Sequence, residues 1–246
     1  MRPFDALTRR GLRALLAAIL LPAASALAEE AARDIRLGPN LGLERLSDLA
    51  EQIDAPIVLP NRGELRLRSG WKDEGRGVPT CRAYFEARSA SLRAFGALDE
   101  ALEELVKARC IPLRALTAAR PSQTSHLLDF TLALEDLRLP IEIAPLLLSE
   151  ETEMAELLYA RGRTWRQMFR QASFEPRDPT QLVVDNGGLE MTYTLLAWAD
   201  FDGDGLEDAL LSIRTAATNG SRRPIRHVIL SRKGPASDLE LARELE

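Results

Sequence analysis

The sequence predicts an α+β protein, with a mainly helical N-terminal part followed by an antiparallel β-meander, and three observations carry that prediction. Apolar residues recur at helical spacing in 42–53, 91–109 and 149–161. After Phe174 the helical period gives way to alternating, extended segments. Those segments are separated by compact Gly/Asp/Asn clusters of the kind that reverse a chain.

Taken in order, 42–53 places Leu43, Leu46, Leu49, Ala50 and Ile53 on one face of a short helix, and 56–68 reads as extended. Gly75, Gly77 and Pro79 punctuate 70–80 too often for a regular element, so a loop is expected before Cys81. In 91–109, Leu98, Ala101, Leu102, Leu105 and Val106 form one stripe, while Asp99, Glu100, Glu103, Glu104 and Lys107 are expected to face water. The apolar run 127–137 after His126 fits either a helix or a strand. Glu150, Glu151 and Glu153 suit the N-terminal dipole of a helix over 149–161.

Pro176 and Pro179 mark a linker or a sharp boundary, which gives 29–175 as one region and 176–246 as the next. Segments 181–184 and 189–199 flank Asp185-Asn186-Gly187-Gly188, a hairpin signal because Asn and Gly tolerate positive φ. Leu189, Met191, Tyr193, Leu195 and Ala197 alternate with Glu190, Thr192 and Thr194, the period of a half-buried strand. Two further strands are expected at 209–214 and 225–231, completing the meander.

The first 28 residues have the three parts of an export signal: Arg2, Arg9, Arg10 and Arg13, an apolar run over 14–21, and Ala26-Leu27-Ala28 before Glu29. The run is shorter than the roughly 20 residues of a spanning helix. The expectation is therefore a signal peptide and a periplasmic or secreted mature chain without a transmembrane segment. Thr8-Arg9-Arg10-Gly11-Leu12 partly resembles a twin-arginine signal, from which Arg13 and Ala14 depart; the general secretory route is preferred.

Without residues 1–28 the net charge moves from -5 to -8. The arginines are scattered among carboxylates and form no basic stripe with aromatics, which argues against nucleic-acid binding. Cys81 and Cys110 are the only cysteines, and in an oxidising compartment the simplest reading is one disulfide. His126 and His227, the only histidines, lack a neighbouring Cys-x-x-Cys, so a zinc site is not expected and both are read as structural.

One stretch carries chemistry. In Asp200-Phe201-Asp202-Gly203-Asp204-Gly205-Leu206-Glu207-Asp208, alternate aspartates stand at positions 1, 3 and 5. Gly205 permits a sharp turn, Leu206 can offer its carbonyl, and Asp208 stands at position 9. Four carboxylates so close repel one another unless a cation neutralises them. A flexible shell of oxygens at this spacing suits Ca2+, with Mg2+ second because it demands a tighter octahedron. The competing reading is a solvated acidic turn. An EF-hand would place a bidentate Glu at position 12, where Leu211 stands, so the loop is EF-hand-like only in its first half.

Over about residues 197–213 the pattern resembles the Asp-x-Asp-x-Asp-Gly-x-x-Asp strand-loop-strand sites of the FG-GAP and VCBS families. The resemblance implies metal ligands at Asp200, Asp202, Asp204 and Asp208, with the Leu206 carbonyl. Those families repeat the motif around a β-propeller, whereas one copy is found here.

No Gly-x-Ser-x-Gly elbow, supported Cys-His pair or phosphate-binding Gly loop occurs. Trp198, just before the acidic loop, either reports on metal binding or fills a core pocket. No partners are identifiable for Trp71 and Trp165. Arg161-Gly162-Arg163 reads as a solvated helix end before it reads as an anionic-glycan or phospholipid contact. The expected task is a non-enzymatic binding or structural role in the cell envelope, with an envelope protein or glycan as partner. The alternative is a metal-assisted hydrolase acting on an envelope substrate.

Overall fold

An antiparallel sheet in the strand order β4-β5-β6-β7-β8-β9 organises the chain, its strands being β4 (Ser173–Asp178), β5 (Gln181–Asp185), β6 (Leu189–Ala199), β7 (Asp208–Ala217), β8 (Ile225–Ser231) and β9 (Glu240–Leu245). The computed structural model describes residues 33–60, 63–134, 137–145, 149–218 and 223–246. The expected signal peptide lies outside the described residues.

The hairpin signal acts as expected. Gly187 adopts φ +86°, the Asn186 carboxamide accepts from the Gly188 and Leu189 N–H groups, and Val184 pairs with Met191. Pro176 does not end the regular structure. It lies in β4, the edge strand, where a missing N–H costs no ladder bond, and the register slips between Pro176 and Asp178. The opposite edge, β9, was not expected either, because Glu240, Arg243 and Glu244 break any apolar alternation; polar side chains on an edge strand guard against unwanted pairing.

The N-terminal part is less helical than its periodicity suggests. It supplies α1 (Leu49–Asp54), α2 (Cys81–Ser89), α3 (Ala97–Ala118), α4 (Ser149–Ala160) and α5 (Trp165–Met168). Three short strands accompany these helices: β1 (Arg36–Leu37), ahead of them, and the β2–β3 ribbon of Arg66–Leu67 and Arg76–Gly77. The 127–137 run is neither helix nor strand where described. Leu127, Phe130, Leu132 and Leu137 are buried from an irregular segment, and the Leu132 N–H reaches the Pro179 carbonyl at 2.9 Å.

Both faces of the sheet are covered, and neighbouring residues of one strand point into opposite layers. Leu211 and Ile213 of β7 belong to one core with Leu127, Leu139 and Trp165, whose indole N–H donates to the Leu139 carbonyl at 2.8 Å. Leu210 and, on β8, Ile229 belong to a second core with Val106, Leu113 and Leu116 of α3. The N-terminal segment also joins the sheet directly. Strand β1 pairs with the end of β6, and Gly38 lies so close that a Cβ would stand 2.6 Å from the Leu195 carbonyl oxygen.

Helix α3 runs past the expected end at residue 109 and through Pro112. Its buried stripe is Leu102, Val106, Cys110, Leu113 and Leu116, while Leu98 and Leu105 are exposed. Glu103, expected in water, is buried because α2 packs over it; the Tyr84 hydroxyl donates to its carboxylate at 3.1 Å and Arg88 approaches to 3.3 Å. The Cys81–Cys110 disulfide joins α2 to α3, as the cysteine count suggested.

Proline at 112 removes the N–H that would bond the Ala108 carbonyl four residues earlier. His227, reaching up from β8, hydrogen-bonds that carbonyl. Burial at 1 % exposure holds the imidazole well below its usual range, at about 4, so the ring is a neutral donor at physiological pH. Its Nε2 has no partner among the described residues. His227 thus takes the place of the helical N–H that Pro112 lacks.

Candidate metal centre

The acidic loop connects β6 to β7, closed at its base by pairing of Ala199 with Asp208. Its shape comes from the aspartates themselves. Asp200 accepts from the N–H groups of Gly203 (2.6 Å) and Gly205 (3.1 Å), Asp202 from Asp204 (3.1 Å), Asp204 from Leu206 (2.8 Å), and Asp208 from Phe201 (3.0 Å). Gly203 and Gly205 take φ +88° and +84°, which side-chain-bearing residues rarely adopt. Phe201 turns inward and is buried in the core shared with α3.

A second segment clamps the loop. The Arg120 and Asp200 backbones exchange hydrogen bonds at 2.9 and 3.0 Å, the Gly205 carbonyl accepts from Gln123 and Thr124, and the Glu207 N–H donates to the Thr124 carbonyl. Glu207, 1 % exposed, anchors the far end. It receives two Arg36 N–H groups at 3.2 and 2.8 Å and the Ser125 hydroxyl at 2.5 Å. The Arg36 guanidinium also lies 4.6 Å over the Trp198 ring. Arg36, Thr124, Ser125 and Glu207 were not singled out from sequence, because partners 82 and 171 residues apart leave no local signal.

Three carboxylates converge. One oxygen from each of Asp200, Asp202 and Asp208 lies within 4.8 Å of the others, so this group could hold a metal ion. Asp200 is 4 % exposed and Asp208 fully buried, while Asp202 opens to solvent. Oδ1 of Asp208 is buried with no hydrogen-bond partner among the described residues. Burial pushes the Asp208 carboxyl up to about 6, against the lowering effect of the Ser231 hydroxyl and the Phe201 N–H, with Asp202 and Asp204 adding like charge. An oxygen-only set of hard donors fits a hard cation.

Asp204, also expected as a ligand, is not in that group. Its carboxylate accepts from Lys233 Nζ, which additionally stands 3.8 Å from Asp202. Burial opposes its ionisation, but the Lys233 contact and the Leu206 N–H outweigh it and hold the carboxyl below its usual range. Leu206 sits beside Thr124 across a parallel bridge. Lys233 follows β8 and was missed because its only sequence context is a short connection.

The other candidates lie elsewhere. Trp165 fills the core under Leu211 and Ile213, and Trp71 is exposed with its ring edge-on to Phe95 at 5.2 Å. Trp198 is half-buried against Arg36. A cavity of about 470 Å³ lies between α4, α5 and Asn186, away from the aspartates. No helix among the described residues is long and apolar enough to cross a membrane. Compared with known proteins, the chain matches no family model, no curated protein and no solved structure.

Proposed function

We propose that the chain is an exported, non-enzymatic Ca2+-binding protein of the cell envelope, with a single loop of the FG-GAP/VCBS kind. The cation orders the β6–β7 junction and so fixes a surface for a structural or binding role. The observation that carries this reading is the convergence of one oxygen each from Asp200, Asp202 and Asp208 within 4.8 Å, beside a buried Asp208 whose Oδ1 has no hydrogen-bond partner among the described residues. A buried carboxylate oxygen without a donor is costly, and three carboxylates so close repel one another; a cation held between them relieves both. Ca2+ is preferred over Mg2+ because the loop offers several carboxylates and no set octahedron. The Arg-rich start, apolar run and Ala26-Leu27-Ala28 support export, and the disulfide agrees with an oxidising compartment.

Calorimetric titration of the purified chain with Ca2+, with thermal melting in Ca2+ and in chelator, tests the site. Saturable binding is expected in the range of about 10^-4 to 10^-3 M, and a free concentration of about 100 Kd should stabilise the fold by about 2.7 kcal/mol. Asp200→Ala and Asp208→Asn should abolish both effects. An unchanged melting point and no heat at millimolar Ca2+ would reduce the loop to an acidic turn. Export is tested by sequencing the mature N-terminus, expected at Glu29.

A further inference from the structure

The acidic loop already has a cation of its own, and its position bears on how a metal ion enters. Lys233 is one of three lysines in the chain, with Lys72 and Lys107. It stands in the connection from β8 to β9, and its ammonium group contacts Asp204 and lies 3.8 Å from Asp202. Asp202 is therefore common to two arrangements: the ammonium pair and the three-carboxylate group with Asp200 and Asp208. A divalent ion held by Asp202 and an ammonium within 4 Å of the same carboxylate would repel each other, since both are positive and only a few ångströms apart. The lysine is the weaker-held of the two, because its side chain is 46 % exposed and an exposed ion pair contributes little. The ammonium pairs with Asp202 and Asp204 and not with the buried Asp208, so it does not itself join the three carboxylates.

We propose that Lys233 is a tethered counter-cation that the metal ion displaces. Entry of a divalent cation between Asp200, Asp202 and Asp208 expels the ammonium and frees Asp204 to turn toward the ion as a further oxygen ligand. The loop thereby exchanges an internal positive charge for an external one, and metal binding is reported on the surface as a freed lysine beside β9. This rests on the reading of the aspartates as a cation site.

The test uses the mature chain, Ca2+ alone as the probe, and two readouts. Calorimetry compares the wild type with Lys233→Met, which is expected to bind on the order of threefold to tenfold more tightly because no ammonium competes. Acylation of amines with a soluble ester, read by peptide mass spectrometry, follows Lys233 with Lys72 and Lys107 as internal references. Saturating Ca2+ should raise Lys233 labelling several-fold, to roughly the level of a free surface lysine, and leave the references unchanged. Binding by Lys233→Met but not by wild type would also support displacement, as a stronger form of the same competition. Equal affinities, or Lys233 labelling unmoved at saturation, overturn the displacement while leaving the metal site standing. Absence of binding in both chains overturns the site and the displacement together.

Discussion

The burial of the His227 imidazole makes a quantitative prediction about acid stability. The imidazole ionises near its ordinary 6.5 in the unfolded chain and at about 4 in the folded protein, where burial disfavours its charge. A histidine with a depressed folded pKa leaves the unfolded state binding more protons between those values. Stability is therefore intact above about 6.5 and falls as the pH drops toward 4. The difference corresponds to a loss of about 2 kcal/mol by about pH 5, and about 3 kcal/mol by about pH 4. His227→Gln keeps an N–H that can reach Ala108 but does not titrate. Urea unfolding of both chains across this range, each plotted as the difference from its own value at neutral pH, isolates the histidine from the carboxylates common to both. The wild type should lose about 3 kcal/mol more than the variant on acidification. Parallel curves would refute the assignment of a neutral, buried imidazole. A second comparison tests the proline. In Pro112→Ala the helix can supply its own N–H to Ala108, so His227→Ala should cost about 1 kcal/mol less in that background than in the wild type.

Other perturbations follow from the same contacts. Reduction of Cys81–Cys110, which closes a separation of 29 residues, should lower the unfolding free energy by about 3 kcal/mol in denaturant titrations with and without reductant. Gly38→Ala sets a Cβ against the backbone oxygens of Leu195 and Leu196, so β1 must lift from β6; a loss of about 2 kcal/mol by thermal melting is expected, and a neutral result would mean β1 is not held there. Glu207→Ala leaves the Ser125 hydroxyl and the Arg36 guanidinium without their shared acceptor, and should cost about 2 kcal/mol while loosening the acidic loop, seen as faster amide exchange at Gly203 and Gly205.

The sheet was legible because its signals are local. Asp185-Asn186-Gly187-Gly188 sets a turn by backbone conformation, and the alternation in 189–199 fixes which residues face a core, so both strands of that hairpin follow from adjacent residues. Helix α4 follows from its apolar spacing and acidic first turn in the same way. The edge strands failed for an opposite reason: β4 carries Pro176 and half of β9 is charged, and only a partner strand makes either extended. Helix α2 was passed over because half its length, including Arg82, Glu86 and Arg88, is polar. Its Thr80 cap and the burial of Cys81, Tyr84 and Ala87 against α3 make it a helix.

The candidate site divides along the same line. The sequence by itself determined that Asp200, Asp202, Asp204 and Asp208 share one tight loop between two strands, because side-chain acceptors two to seven residues from their donors, with glycines at positive φ, need nothing distant. Only the tertiary structure decided which of them converge. Asp208 is buried at the start of β7 and its charge disfavoured, Asp204 is paired with Lys233, and Glu207 is turned into a buried anchor by Arg36 and Ser125. Each outcome depends on desolvation or on a charge arriving from a remote part of the chain. Electrostatic energy varies steeply with burial and separation, and neither quantity is fixed until the chain has folded.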